Sequence, residues 1–547
     1  VTAPAPLSRP HPPGETVLFW TLLALYLLPL WVFPFFPSQD GPDHQALSFI
    51  LRQYGMPGAG LLREYYLVNR EAVPNWFIFF LMSRALGFVS IPIAEKILLT
   101  AYVVLFPLSV RYAARAVDRR AGFLAVLAFP FIDNFMFHMG FFNFCFSLPA
   151  FFFTLGYWLK RPERMGLLRI AGLALLILWV YFCHPVTLVA AVAALLTLAG
   201  WRVLLERLAA PRQERLALRG LWESSRRWLL GPVLACLPAL LLMLSFLGKR
   251  TGARIQMLPM WVKVKHLAAL YSLASLTQLS IALAALLALL FYAVALLCLR
   301  ARGRRPLQPS DGLLAAVGVL TVAYFAAPSD LAGGGFINHR LVLLPFLALI
   351  LWFATFEHPP RRRFAIQLAA AAISVAFLGA FVPVYLRLNR GLEELAAAGR
   401  LIPPDHTFLF LNYVPVDESR DPDLGVFRTR PFSHAGGYLA ARRRLVDLSL
   451  YQANENYFPI YFQPRLNPYR YLGAEKLGIE LDPPNVDLLD YPKKTGGGTV
   501  DYVFLWGLRD GRGDEPKIRS VLAQLAAGYD PVYTSRDGWV RLFRVRP

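Results

Sequence analysis

Cysteine is scarce in this chain. Cys145, Cys183, Cys236 and Cys298 are the four in 547 residues, and each lies in or beside an apolar run. None stands at metal-ligand spacing, and so sparse a set makes no disulfide framework. Acidic residues are also few, 35 against 56 Lys and Arg. The surplus does not read as a nucleic-acid surface, because it is confined to one part of the chain. Residues 387–547 hold 22 basic and 20 acidic side chains, whereas residues 1–386 hold 34 and 15. The excess therefore sits in loops between apolar runs, where the positive-inside rule accounts for it. Residues 1–15 are Pro-rich, with one Arg, and lack the basic segment and small-residue cleavage site of a signal peptide. They read as a disordered cytoplasmic arm. The chain shows no internal repeat and few mid-span charges, which weighs against a transporter built from repeated halves.

Apolar residues are abundant, at 56%, and many runs approach the ~20 residues that cross a bilayer. The fold class expected is a polytopic α-helical membrane protein with a C-terminal soluble α/β domain. Five Arg-rich loops set the expected topology: 111–120, 160–164, 202–227, 300–305 and 361–363. Placing all five in the cytoplasm gives eleven transmembrane helices: 16–36, 93–112, 121–138, 142–159, 167–183, 185–203, 228–247, 278–299, 312–328, 340–356 and 364–386. This arrangement requires that Asn75–Ser90, interrupted by Arg84, lie along the outer face as an interfacial helix. Leu47–Tyr54 and Leu61–Val68 are expected as further amphipathic helices of that first outer loop.

The domains expected are thus the arm at 1–15, the membrane domain at 16–386 and an extracytoplasmic domain at 387–547. In the last, Thr407–Leu411 and Tyr502–Trp506 have strand character and Ile518–Ala527 has helical spacing. Val532–Ser535 and Trp539–Val545 flank Arg536-Asp537-Gly538 as a hairpin. Gly496–Gly498 reads as a flexible loop. The aromatic stretch Tyr451–Tyr471 reads as a packed loop, an interface or a glycan platform.

Unusual polar residues collect on the expected outer face. Asp40, Asp43 and His44 follow the first helix, in SQDGPDH. Asp133, Asn134 and His138 lie between the third and fourth helices, His184 between the fifth and sixth, and His339-Arg340 opens the tenth. Ionisable groups at a membrane edge are costly and tend to mark a working site. A carboxylate there can act as general base for an acceptor hydroxyl or amine. Asp43 and Asp133 read equally well as helix N-caps, and His184 reads as a helix-end residue before Pro185. Asp40 is preferred because Gly41-Pro42 makes a tight turn beside it, but the choice between Asp40 and Asp43 stays open. No metal-type spacing surrounds the histidines, so no metal ligand is assigned; a divalent cation remains an open requirement.

A second anomaly is Gly248–His266. It falls outside yet carries Lys249, Arg250, Arg254, Lys263 and Lys265 and no acid. Clustered cations at a membrane surface bind phosphate through charge and the guanidinium fork, so the stretch is expected to recognise a lipid-linked phosphate or diphosphate. Contact with lipid headgroups alone is the plainer alternative.

These features together resemble the GT-C superfamily of membrane glycosyltransferases. Asp40-Gly41-Pro42-Asp43-His44 takes the place of that family's first-loop acidic motif, Asn75–Ser90 looks like its second juxtamembrane helix, and Asp133 occupies its second acidic position. YFCHP and NHRLVLLPF resemble bacterial members. The resemblance implies an enzyme of the bacterial inner membrane with its C-terminal domain outside. It implies transfer of a sugar from a polyprenyl-phosphate or polyprenyl-diphosphate donor, with inversion, to a glycan, lipid or protein acceptor. Catalytic roles would fall to Asp40, Asp43, His44 and Asp133. Substrate contacts would fall to Lys249, Arg250, Arg254, Lys263, Lys265, His339, Arg340 and His184, with Tyr65, Tyr66 and Trp76 stacking on sugar or prenyl groups. The alternative is a non-catalytic accessory or scaffold subunit of an envelope assembly, with the terminal domain as its binding module.

Overall fold

The computed structural model describes residues 13–163, 165–215, 217–249, 255–276, 279–303, 306–331, 333–414, 428–455, 457–474, 478–508 and 512–547. The first apolar run forms α1 (Pro13–Val32), so residues 13–15 belong to the helix rather than to an arm, and residues 1–12 lie outside the described residues. The chain then makes α2 (Gly41–Gln53), α3 (Gly60–Tyr65), β1 (Tyr66–Val68) and α4 (Phe77–Ala85). The bundle continues with α5 (Ile91–Val117), a 3-10 segment (Arg119–Phe131), α6 (Phe135–His138), α7 (Phe142–Leu159), α8 (Leu167–Cys183) and α9 (Pro185–Ala209). After it come α10 (Leu218–Trp228), α11 (Leu230–Gly248), α12 (Met260–Ala268), α13 (Leu279–Arg302), α14 (Gly312–Ala326), α15 (Ile337–Leu341), α16 (Leu343–Phe353) and α17 (Pro360–Gly399).

Among the described residues eight helices are long and apolar enough to cross a membrane, α14 counting with the turn at 309–311 that precedes it, and α8 and α15–α16 are shorter apolar helices. The expected helix at 121–138 is instead the 3-10 segment followed by α6. Pro130 removes a backbone donor and clashes with the preceding turn, and the Asn134 side chain caps a fresh turn by accepting from the Met136 and Phe137 amides. At about 2 Å rise per residue, the 13 residues of the segment still run most of the depth of a bilayer.

Side-chain contacts tie the basic loops into one end of the bundle. Arg363 reaches Glu15 at 3.3 Å and the Arg120 carbonyl at 3.5 Å. Lys160 lies over the Tyr112 ring. Trp201 donates to the Gln308 carbonyl at 2.9 Å, and Arg227 pairs with Glu206 at 2.6 Å. The other end holds α2, α3 and α4. Among them α4 is nine residues long, too short to span, and its Phe79 packs against Phe458 of the terminal domain. Residues 66–68, expected as helix, form β1, which pairs antiparallel with β4 (Ile460–Phe462). Strand pairing with a partner almost 400 residues away overrides the local helical spacing.

The terminal domain runs β2 (Thr407–Asn412), α18 (Gly436–Arg443), β3 (Val446–Asp447), β4, α19 (Pro468–Tyr471), α20 (Tyr491–Thr495), β5 (Tyr502–Trp506), α21 (Pro516–Gly528), β6 (Tyr529–Thr534) and β7 (Val540–Val545). Its sheet has the order β3-β2-β5-β7-β6, with β3, β2 and β5 parallel and β7 antiparallel to both neighbours. The helix α17 runs on to Gly399, so the boundary at 386–387 falls within a continuous helix. Asn389 on α17 pins the exit of α1: its side chain accepts from the Phe35 amide at 2.9 Å and donates to the Phe35 carbonyl at 3.1 Å. The order of parts is that of the fold expected: one helix, a loop with short helices, a helical bundle and an α/β domain.

Candidate functional site

The site is built where the loop after α1 meets α6, the bundle and the terminal domain. The Gln39 and Asp40 amides donate to the His138 and Met139 carbonyls at 3.0 and 3.1 Å. This approach depends on Gly140. Its φ is +81°, and a Cβ there would lie 2.6 Å from the Gly41 nitrogen. The Gly41-Pro42 pair then starts α2, with proline in the first turn where no donor is needed. Asp40 stands at the N-cap position, but its side chain makes no capping bond. The carboxylate instead turns toward the terminal domain, where Tyr451 donates to Oδ2 at 2.6 Å. His434 places Nε2 at 3.7 Å from Asp40 Oδ1 and Nδ1 at 4.0 Å from Asp43 Oδ2, both beyond hydrogen-bonding distance.

Asp40 and Asp43 are both buried but differ in surroundings. Burial pushes Asp40 up to about 7, opposed by the Tyr451 bond, by Gln39 and by the Arg340 charge. Asp43 is held well above the ordinary carboxylate range by burial and then by the charges of Asp447 and Asp40. His434 is pushed down to about 3 by burial and by Arg430, and His44 to about 3 by burial and His434. Both imidazoles are therefore neutral near pH 7, and the His434 contacts are not ion pairs. The two carboxyls are thus set apart: Asp40 ionises near neutrality, and burial with the neighbouring carboxylates makes Asp43 hold its proton more tightly than an ordinary carboxyl.

Asp40 and His44 line a cavity of about 430 Å³. Asn75, Asn143, His184, Arg340, Tyr451, Gln452 and Tyr457 are its other polar lining residues, and apolar side chains of α7, α9, α11, α14 and α15 make up most of the remaining wall. Arg340 is buried, lies over the Phe141 ring at 4.6 Å and donates to the Gly335 carbonyl. Its Nε has no protein partner, and Asp40 Oδ1 likewise accepts no hydrogen bond. Both residues line the one largely apolar cavity, although these two atoms are themselves shielded. His184 Nδ1 accepts from the Val186 amide at 3.2 Å, capping α9.

The other residues singled out from sequence lie elsewhere. Lys249 is exposed and pairs with Glu71 at 2.9 Å. Arg250 and Arg254 lie outside the described residues. Lys263 is buried, and its ammonium donates to the Phe325 and Ala327 carbonyls at 2.8 and 2.7 Å, so it caps α14 rather than facing a ligand. Lys265 is exposed and is not part of the cavity wall. The His339 ring packs against Phe135, His266 and Phe336. Asp133 is buried and not in the wall. His138 has both ring nitrogens engaged, by Tyr385 at 2.7 Å and Ser275 at 2.8 Å. Tyr65 and Tyr66 are buried, with their hydroxyls bonded to Thr499 and to the Asp447 carbonyl, which leaves no face for stacking on a sugar. Trp76 starts α4 outside the wall, and its neighbour Asn75 lines it. Among the described residues no group of three or more His, Cys, Asp or Glu could hold a metal ion. Tyr451 and His434 were not read as site residues. Tyr451 opens the aromatic stretch already noted, and His434 stands two residues before Gly436-Gly437, a pair that signals close packing.

No family model matches the sequence, and no curated protein matches it. Among solved structures the chain is similar to an oligosaccharyltransferase from Archaeoglobus fulgidus tethered to an acceptor peptide with the NVT sequon. Identity is 13%, coverage is 97% of this chain and 74% of that one, and the TM-score is 0.44. It is also similar to ArnT from Cupriavidus metallidurans in the apo state, at 12% identity, 97% and 98% coverage and a TM-score of 0.40.

Proposed function

We propose that this protein is an integral-membrane glycosyltransferase of GT-C type. It would move a sugar from a polyprenyl-phosphate or polyprenyl-diphosphate donor to an acceptor at the end of the bundle opposite the basic loops. The observation that carries this reading is the pairing of Asp40 and Arg340 in one cavity walled by apolar membrane helices. The prenyl chain lies against the apolar wall, and the phosphate meets Arg340. Asp40 takes the proton from an acceptor hydroxyl or amine as that atom bonds to the anomeric carbon. The bond from that carbon to the phosphate oxygen breaks, the lipid phosphate leaves with the electron pair, and configuration inverts. Arg340 meets the charge developing on the leaving phosphate. With the basic loops in the cytoplasm of a bacterium, the reaction occurs on the outer face of the inner membrane.

The test is turnover of a radiolabelled polyprenyl-phosphate sugar by Asp40→Asn. Loss of about 10²–10⁴ in rate is expected of a general base. Parental turnover in the variant would remove Asp40 from the chemistry. A parent protein that binds the donor but never transfers sugar to glycan, lipid or protein acceptors would point to an accessory subunit instead. Protease added to sealed cells should reach residues 400–547 only from outside.

A further inference from the structure

A second cavity, of about 300 Å³, opens between α13, α17 and the 3-10 segment and shares no residue with the first. Its long wall follows α17 from Arg362 to Ile373, about 16 Å at 1.5 Å per residue. That depth is roughly half of a ~30 Å hydrocarbon core, or one leaflet. Ala285 and Ala288 on α13 and Ala369 on α17 keep the cleft open. Its flank faces outward, since Phe291 is 78% exposed. The cleft is apolar along its depth and polar only at its basic end. There the Tyr292 hydroxyl bonds His358 Nδ1 at 2.7 Å, and the Arg362 guanidinium reaches the same hydroxyl.

Arg362 donates a long bond of 3.4 Å to the Glu357 carbonyl. A guanidinium has five N–H donors in a fork that matches phosphate, so capacity for a ligand remains. The charged groups at this end include Arg361, Arg362 and Arg363 with the acids Glu15, Glu357 and Asp118. Arg361 is exposed, Arg363 is already matched by Glu15, and the Arg120 backbone lies against Arg363. A one-leaflet apolar slot with a phosphate-shaped cation at its surface end fits one class of molecule. A soluble phosphate would leave the slot unfilled, and a neutral lipid would leave the charge unmatched.

We infer that this cleft binds one acyl chain of an anionic phospholipid from the leaflet at the basic end, with the lipid phosphate on Arg362. The inference does not rest on the glycosyltransferase reading. The test is native mass spectrometry of the full-length protein released from detergent, titrated in parallel with phosphatidylglycerol, phosphatidylethanolamine and inorganic phosphate. The expected result is a saturable phosphatidylglycerol adduct, with phosphatidylethanolamine weaker and inorganic phosphate unable to compete. Arg362→Ala should weaken that adduct about tenfold, as loss of a charge-assisted contact does. Ala369→Trp, which fills the slot and spares the charge, should abolish it. Phosphatidylglycerol binding unchanged in both variants, equal binding of phosphatidylethanolamine, or competition by inorganic phosphate would overturn the inference.

Discussion

The Tyr451 hydroxyl donates to Asp40 Oδ2 at 2.6 Å, across 411 residues of chain. The terminal domain thereby reaches the proposed base itself. Because the bond favours the ionised carboxylate, it holds the Asp40 pKa below where burial alone would put it. Tyr451→Phe should shift the acid limb of the kcat/KM profile upward by about one pH unit, with turnover at alkaline pH largely kept. A limb that stays in place would detach Tyr451 from the base.

Stability should depend on Asp40 with a definite sign. Its pKa rises from an ordinary 3.8 to about 7 on folding, so between those values the folded state binds the proton more tightly. Stability is then lost as pH rises from about 4 to about 7. Asp40→Asn cannot ionise and escapes the loss. It should unfold at a higher temperature than the parent at pH 8, by up to roughly 4 kcal/mol of added stability, and the gap should close at pH 4. Thermal unfolding in detergent at both values is the measurement. An equal gap at both would mean that Asp40 is not the titrating group.

Much of this was legible in the residues themselves. The Gly41-Pro42 turn after the first apolar run marked Asp40, and the five basic loops marked which ends of the helices lie together. Tyr502–Trp506 announced itself as a short apolar run, and Trp539–Val545 with its partner by the Arg536-Asp537-Gly538 turn between them. What was hidden is tertiary. Nothing local to Tyr451 or His434 says that they face a carboxylate from the first loop. Nothing local to Lys263 says that its charge is spent on the last carbonyls of α14, since an uncapped helix end elsewhere in the bundle creates that need. Tyr66–Val68 has helical spacing but takes its conformation from β4.

The contrast between Arg340 and Lys263 separates binding from support. Arg340→Ala should raise KM for the proposed lipid-phosphate donor by about tenfold or more, because the guanidinium that lines the cavity is lost. Lys263→Met should leave KM alone and lower stability by roughly 1–3 kcal/mol, since the Phe325 and Ala327 carbonyls lose their donor. Donor-saturation curves beside unfolding temperatures read both effects. A raised KM in the Lys263 variant would return that lysine to the substrate site.

The seam between α18 and α2 offers a last prediction, because it holds His434 against Asp40 and Asp43. At Gly437 an added Cβ would lie 2.5 Å from the Pro42 carbonyl carbon and oxygen and 2.8 Å from the Asp43 nitrogen. These are backbone atoms at the start of a helix and cannot turn aside. Gly437→Ala must therefore push α18 off α2, an overpacking cost of about 1–3 kcal/mol, and carry His434 away from both carboxyls. Turnover should fall with unfolding temperature. Gly379→Ala, on α17 with open space around it, adds the same methyl and should be neutral or stabilising by up to about 1 kcal/mol. Parental turnover in Gly437→Ala, with the protein demonstrably destabilised, would show that the proposed base does not need its contacts with the terminal domain.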